Sequence, residues 1–337
     1  MVDLSTTWLG LALRSPLVVG ASPLCDTADH ARLLVEAGAG AVVLPSLYEE
    51  QLLADQMAAH HFFDTHVDTD AEARSFLADT EVFAVTAEPM LRRIRALVDA
   101  LDVPVIGSLN GVTPGGWTSF AQDLAEAGAA AVELNLYDIA TSTDERGDEI
   151  EDRQLRVVEQ VASTVPVPVS VKLSPFYASV PNFVARLEAA GAAGVVLFNR
   201  YYQPDIDLET LEADRTLHLS TSAELPLRLH ALAALHHRVG VSLASSGGVH
   251  EGRDAAKAIL CGAHAVQTVS ALLAGGPDAL RRITAELVAW LDEQGYRDLA
   301  EARGATSLEN VPNRQAWERL NYAHLLQGWH GRVPGLR

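Results

Sequence analysis

The sequence predicts an α/β fold, a closed (β/α)8 TIM barrel, on three observations. Four stretches end a helix in a small-residue turn and pass at once into a β-branched run: EAGAGAVVL, EAGAAAVEL, AAGAAGVVL and CGAHAVQT. About eight apolar runs alternate with amphipathic segments, which is typical of strands and helices in turn. No linker rich in Pro, Gly or Ser divides the 337 residues. The chain is therefore predicted to be a single domain, because one barrel can use that length.

The predicted strands are apolar on both faces, which is typical of a parallel sheet covered by helices. They lie near residues 16–21, 41–46, 104–109, 131–136, 168–173, 194–199, 241–246 and 264–268. Four of them follow a glycine placed where a helix needs a left-handed residue to end, namely Gly38, Gly128, Gly191 and Gly262. An open, doubly wound sheet is the alternative, but eight alternations favour the barrel.

Two segments lie outside the repeat. Residues 47–85 follow the second strand and are interpreted as a lid, because active sites of such barrels form on that face. The lid contains His60, His61, Asp64, His66 and Asp68, but their spacing does not match a helical ligand pair, so no metal site is predicted. Residues 296–330 are predicted to form two short helices that either cover the barrel or mediate oligomerisation.

Composition excludes several classes of function. The formal net charge of -19 repels phosphate backbones and anionic membranes, so neither nucleic acid nor a membrane is expected as a partner. Cys25 and Cys261 are isolated and cannot hold an iron–sulfur cluster. The first residues lack a signal-peptide pattern and no apolar run reaches membrane-spanning length, so a cytoplasmic location is expected.

The run SSGGVHEG predicts a phosphate site. Gly247 and Gly248 follow a strand and precede a helix that opens at about Arg253, and the N-terminus of that helix is expected to present unpaired N–H groups to an anion. After the last strand, Val269 and Ser270 are expected to reach the same anion together with Thr268. The alternative is that the two glycines only form a tight turn.

Polar residues at the ends of apolar strands predict a ligand site. Lys172 lies in PVSVKLSPF and is one of only two lysines. A lysine rarely enters such a strand unless its ammonium meets an anionic or electron-rich group, and the alternative is an ammonium that extends to the solvent at the rim. Asn110, Asn135 and Asn199 occupy equivalent strand ends. Their amides offer both donors and acceptors, so the four residues are expected to converge on one ligand.

In order, the motifs GASPL, SLNG, ELNL, SVKLSP, LFN, SSGG and QTVSAL resemble the dihydroorotate dehydrogenase family, especially its soluble branch, over roughly residues 3–295. The resemblance implies an FMN enzyme in which Lys172 stabilises the reduced cofactor. It further implies the following contacts: Ala21, Ser22, Asn110 and Lys172 with the flavin, Gly247, Gly248, Val269 and Ser270 with its phosphate, and Asn135 and Asn199 with the substrate.

The chain also departs from the family pattern. Asp138 stands where the family has a Cys or Ser base, and Ala140 replaces a substrate asparagine. Ser46 stands near the end of strand two, where the family has a lysine. Asp138 is therefore the candidate base, since burial can raise the pKa of a carboxylate enough for that role. The alternative is a solvated loop acid.

The function implied is an FMN-dependent oxidoreductase that takes hydride from a small CH–CH substrate. Dihydroorotate is the first candidate substrate, and another small molecule is the alternative. Electrons are expected to pass to a soluble acceptor or to a partner redox subunit, and the resemblance suggests a homodimer. A flavin-free barrel, either a lyase or isomerase or a binding protein, is the alternative of a different class.

Overall fold

A computed structural model describes residues 2–48, 84–110, 117–136, 140–200, 205–214, 216–317 and 327. Most of the predicted lid, including the histidines and aspartates considered as metal ligands, lies outside these residues. The candidate base Asp138 also lies outside them, as does most of the chain after residue 317.

Eight parallel strands close into a barrel. They are β3 (Leu17–Val19), β4 (Ala41–Val43), β6 (Val105–Asn110), β7 (Ala131–Leu136), β8 (Val169–Leu173), β9 (Gly194–Leu197), β12 (Ser242–Ser246) and β13 (Ala265–Thr268). Each strand pairs with the next, β13 pairs with β3, and β4 pairs with both β3 and β6. This closed order confirms the predicted barrel and all eight predicted strands, and it excludes the open sheet.

The remaining strands are short. The hairpin of β1 (Thr6–Trp8) and β2 (Leu11–Leu13) precedes the barrel, and β5 (Leu47–Tyr48) pairs with β6 just after β4. A second hairpin, β10 (Asp205–Asp207) with β11 (Glu212–Asp214), is exposed along both strands.

Helices surround the strands. They are α1 (Ala28–Glu36), α2 (Ala84–Ala100), α3 (Trp117–Glu126), α4 (Gly147–Thr164), α5 (Val180–Ala189), α6 (Leu225–Leu235), α7 (Gly252–Leu260), α8 (Ser270–Glu293, bent at Gly276) and α9 (Leu299–Ala302). The four glycines of the repeat all have positive φ, from +95° at Gly191 to +117° at Gly262. The predicted left-handed helix ends are therefore confirmed.

The described part of the C-terminal extension contains α9 and a 3-10 turn, Arg314–Trp317. The Thr306 N–H donates to the Leu260 carbonyl and the Leu308 N–H donates to the Ala233 carbonyl, so this segment packs on α6 and α7. Both uses considered for the extension, covering the barrel and mediating oligomerisation, stay predictions.

The barrel interior is apolar at its amino end. Inward side chains include Val18, Val43, Ile106 and Val196, and the β1–β2 hairpin closes this end with the fully buried Trp8. Side chains alternate along a strand, so the next inward positions towards the carboxyl ends form a separate layer. That layer is polar, and it positions the candidate site.

A histidine near the amino end of the barrel makes stability depend on pH. The Leu243 N–H donates to Nδ1 of His264 at 3.1 Å, which requires a neutral ring. Burial, with Arg303 and His236 adding to it, lowers the pKa of His264 to about 4. The unfolded chain protonates this residue near pH 6.5. Stability from His264 is therefore complete above about pH 6.5 and is lost as the pH falls towards about 4, by up to about 3 kcal/mol.

Urea unfolding of the wild type and of His264→Asn at pH 7.5, 6 and 5 checks this expectation. Asparagine cannot titrate but can still accept from Leu243, so the gap between the two proteins should narrow as the pH falls. A gap that stays constant with pH would contradict the assignment to His264.

Candidate functional site

A cleft opens at the carboxyl ends of β3, β8, β9, β12 and β13. Its lining includes eight of the residues predicted from the sequence: Ala21, Lys172, Asn199, Gly247, Gly248, Thr268, Val269 and Ser270. Asn110 ends β6 and Asn135 lies one residue before the end of the neighbouring β7; the two are register partners, and both are buried. Ser22 is buried as well, but its hydroxyl donates to the Gly20 carbonyl and the residue does not line the cleft.

A buried ion pair lies at the floor of the cleft. The Lys172 ammonium is 3.2 Å from Oε1 of Glu133 and donates to Oε1 of Gln267 at 2.8 Å. The Gln267 amide in turn donates to the other oxygen of Glu133. Only 6% of the Lys172 side chain is exposed, so the ammonium does not extend to solvent at the rim. Two of its three N–H groups have these protein partners, and the third can serve a ligand.

The partners of Lys172 were not predicted. Glu133 and Gln267 are completely buried within β7 and β13. Their signal was present, because Ala131, Glu133 and Asn135 alternate along β7 and therefore point to the same side. Taking a charge out of water is costly, and a buried ion pair is weak evidence for a purely stabilising role. Its position under a cleft indicates a functional one.

Two asparagines form a second polar pair at the mouth. The Asn199 amide donates to Oδ1 of Asn135 at 2.9 Å. This contact leaves an N–H group of Asn135 and the carbonyl oxygen of Asn199 as a neighbouring donor and acceptor for a ligand. Ser46 follows β4 and Ser108 lies within β6, and their hydroxyls are 2.7 Å apart. Neutral hydroxyls therefore stand near the end of strand two, where the family resemblance implies a lysine.

The glycine turn after β12 comes close to its surroundings. Gly247 and Gly248 have φ of +87° and +78°, and a Cβ at Gly248 would be 2.6 Å from the backbone nitrogen of Leu225. On the adjacent strand β13, Oγ1 of Thr268 is buried and has no hydrogen-bond partner among the described residues.

The prediction for the helix after this turn is wrong. Helix α7 begins at Gly252, close to the predicted start, but protein carboxylates accept from N–H groups at and just before that start. The Gly252 N–H donates to Glu286 at 2.7 Å, and Asp254 accepts from the N–H groups of His250 and Glu251 at 3.1 and 3.2 Å. These groups are not available to a phosphate. Helix α6, which begins at Leu225, is the helix whose N-terminus contacts the turn.

Two arginines near the turn were also missed. Arg228 on α6 donates through Nε to the Ser246 carbonyl at 2.9 Å and through Nη1 to the Glu224 carbonyl at 2.7 Å. Arg200 lines the cleft and bonds to the Glu224 carboxylate at 3.3 Å. Burial lowers the pKa of Arg228; Glu224 opposes this effect, and Arg200 adds to it. Neither arginine belongs to a recognisable motif, so the sequence held no signal for them.

The described residues contain neither a metal-ligand cluster nor a membrane-spanning helix. Among the residues that the structure describes, no group of three or more His, Cys, Asp or Glu side chains is arranged to hold a metal ion. No helix in the described part of the chain has both the length and the apolar character to cross a membrane.

Comparison with known proteins gives a consistent assignment. The family model described as dihydroorotate dehydrogenase matches residues 79–291. A putative dihydroorotate dehydrogenase A (fumarate) from Aeropyrum pernix is 29% identical over 309 residues, covering 90% of this chain and 97% of that protein. The catalytic subunit of a dihydroorotate dehydrogenase B (NAD(+)) from Methanothermobacter thermautotrophicus is 25% identical over 309 residues, covering 89% and 97%. Its counterpart from Desulforudis audaxviator is 32% identical over 229 residues, covering 65% and 72%.

Proposed function

The chain belongs to the dihydroorotate dehydrogenase family, and from that premise we propose that it is an FMN-dependent oxidoreductase acting on a small CH–CH substrate. The observation that carries the proposal is the buried ammonium of Lys172 at the floor of the strand-end cleft. A fixed positive charge in a site of low dielectric stabilises negative charge that develops during a reaction. Lys172 would supply this charge at the cofactor.

Two features of the cleft support FMN as the cofactor. Gly247 and Gly248 form a turn of positive φ at the cleft, and the Lys172 ammonium at its floor has an N–H group left for a ligand. Bound FMN would supply the two-electron oxidant. We propose its contacts as follows: Ala21, Asn110 and Lys172 hold the ring, and Gly247, Gly248, Val269 and Ser270 hold the phosphate. Ser22, whose hydroxyl is bonded to the Gly20 carbonyl, is not assigned a contact with the ring.

For the substrate, we propose Asn135 and Asn199 as the binding pair. Their mutual hydrogen bond fixes both amides, so a donor and an acceptor lie side by side. Such a pair complements a ligand that carries an N–H beside a carbonyl, and dihydroorotate is the first candidate. Asp138 stays the proposed base that removes the substrate proton, although it lies outside the described residues.

A second substrate class is favoured by the hydroxyl pair of Ser46 and Ser108. A neutral pair at this strand end provides no cation for a substrate carboxylate. An FMN oxidoreductase of the same family that acts on another small molecule is therefore the second candidate. The two groups of relatives are named for different acceptors, fumarate and NAD(+), so we propose either a soluble acceptor or a partner redox subunit for this chain. The single-domain organisation, the homodimer and the cytoplasmic location stay predictions.

The visible absorption spectrum of the purified protein tests the proposal, first alone and then anaerobically with dihydroorotate. Flavin bands that bleach on addition would support dihydroorotate as the substrate. Bands that persist would favour the second candidate and direct the search to other CH–CH compounds. If no bands appear even after reconstitution with FMN, the redox proposal fails, and a flavin-free lyase, isomerase or binding protein on the same barrel is favoured.

A further inference from the structure

The two basic side chains in the described lining of the cleft are each paired with a carboxylate. The Lys172 ammonium is 3.2 Å from the carboxylate of Glu133, and Arg200 bonds to the carboxylate of Glu224 at 3.3 Å. Arg228 also approaches Glu224, at 3.9 Å, but it does not line the cleft and it donates to two backbone carbonyls. The positive charges that face the cleft are therefore already compensated by the protein.

The polar side chains on the side of β4, β6 and β7 are neutral. Asn110 ends β6 and is the register partner of Asn135 on β7, whose Oδ1 accepts from the Asn199 amide at 2.9 Å. The hydroxyls of Ser46 and Ser108 are 2.7 Å apart. These five residues offer hydrogen-bond donors and acceptors to a ligand, but no charge.

A substrate carboxylate would therefore meet no uncompensated cation in the described part of the cleft. The N–H group that Lys172 has left is assigned to the flavin in the proposed function. Moving an ionised group out of water without an opposite charge is costly. The formal net charge of -19 adds long-range repulsion of anions. An uncharged substrate avoids both costs.

The pair of Asn135 and Asn199 indicates which uncharged group fits. Their mutual hydrogen bond leaves an N–H group of Asn135 beside the carbonyl oxygen of Asn199. A cyclic amide or ureide presents the complement of this pair, a carbonyl that accepts and an adjacent N–H that donates. Because the ring holds both groups in one plane, little conformational entropy is lost on binding.

We propose that the substrate is an uncharged cyclic amide or ureide with a CH–CH bond in its ring, rather than a carboxylate such as dihydroorotate. This inference rests on the proposed function, and it selects the second of the two substrate candidates. Oxidation of the CH–CH bond to C=C removes one hydride and one proton. The hydride, with both electrons, is accepted by the FMN of the proposed function, and the proton passes to its base.

The test measures the Kd of the FMN-loaded protein for uracil and for orotate, from the change that each causes in the flavin absorption spectrum. The two rings differ only in the carboxylate that orotate carries. Uracil should bind at least about tenfold more tightly, the difference that an unpaired buried charge represents. In anaerobic mixing, dihydrouracil should bleach the flavin faster than dihydroorotate does.

Ser46→Lys adds an ammonium just after β4. It should lower the Kd for orotate about tenfold and change the Kd for uracil less than about threefold, because only orotate carries the complementary charge. Ser163→Lys is the matched control, since Ser163 is exposed near the end of α4 and its hydroxyl bonds only to the Gln160 carbonyl of the same helix. It should leave the ratio of the two Kd values unchanged. The wild-type comparison needs no substitution, so the test stays decisive if Ser46→Lys does not fold.

Two failures are distinguishable. If no flavin binds even after reconstitution with FMN, the proposed function fails. If flavin binds and orotate binds as tightly as uracil, or if neither ring changes the flavin spectrum, only the inference about the substrate is overturned.

Discussion

Lys172→Met is expected to destabilise the fold strongly and to lower the two-electron midpoint potential of the bound flavin. The variant leaves the completely buried carboxylate of Glu133 without its cation. Breaking a buried ion pair on one side costs about 3–5 kcal/mol. Loss of the positive charge should also disfavour the reduced flavin, by about 30–60 mV if the charge contributes about 1.4–3 kcal/mol. Urea unfolding and equilibrium dye titration measure the two effects.

The double variant Lys172→Met with Glu133→Gln separates the two roles. It removes both charges, so most of the lost stability should return, because a buried pair contributes little net stability compared with neutral groups. The midpoint potential should stay low, since the ammonium is still missing. A potential equal to that of the wild type in either variant would contradict the placement of Lys172 at the flavin.

Gly248→Ala is expected to weaken FMN binding about a hundredfold and to reduce the free energy of unfolding by at least about 2 kcal/mol. The new Cβ would lie 2.6 Å from the backbone nitrogen and 2.9 Å from the Cα of Leu225. Both are backbone atoms that cannot rotate away, so either the turn or the start of α6 must move. The positive φ of +78° adds the usual cost of a left-handed alanine.

Gly295→Ala is the matched control, because Gly295 has nearly the same φ, +80°, and open space around its Cβ position. Alanine at this position has the conformational cost of a positive φ without a steric clash at Cβ. Thermal unfolding and the Kd for FMN should show that Gly295→Ala loses about 1 kcal/mol and no affinity. Equal losses in the two variants would mean that φ alone, rather than the contact with α6, explains the glycine at 248.

The barrel was predictable because its signals are local. An apolar run, a helix period and a glycine at a helix end are each contained within about ten residues, and their repetition specifies the order of strands and helices. Lys172 and the three asparagines were also predictable as a group. Parallel strands of one barrel end on the same face, so polar residues at strand ends converge whatever the detailed packing.

The partners of those residues were decided by the tertiary structure. Glu133 and Gln267 meet across 134 residues of sequence, and Glu286 reaches the start of α7 from 34 residues away. The same holds for Arg228, which meets the turn only because α6 packs beside β12.

The sequence by itself therefore determined the barrel, the face that carries the site and the residues at the strand ends. The tertiary structure alone decided which charges compensate each other, which helix N-terminus is occupied by carboxylates and which one contacts the glycine turn. The physical reason is the separation along the chain over which each kind of interaction acts. Backbone conformation and hydrophobic periodicity act between neighbours in the chain, whereas ion pairing and hydrogen bonding between buried groups depend on strand register and helix packing.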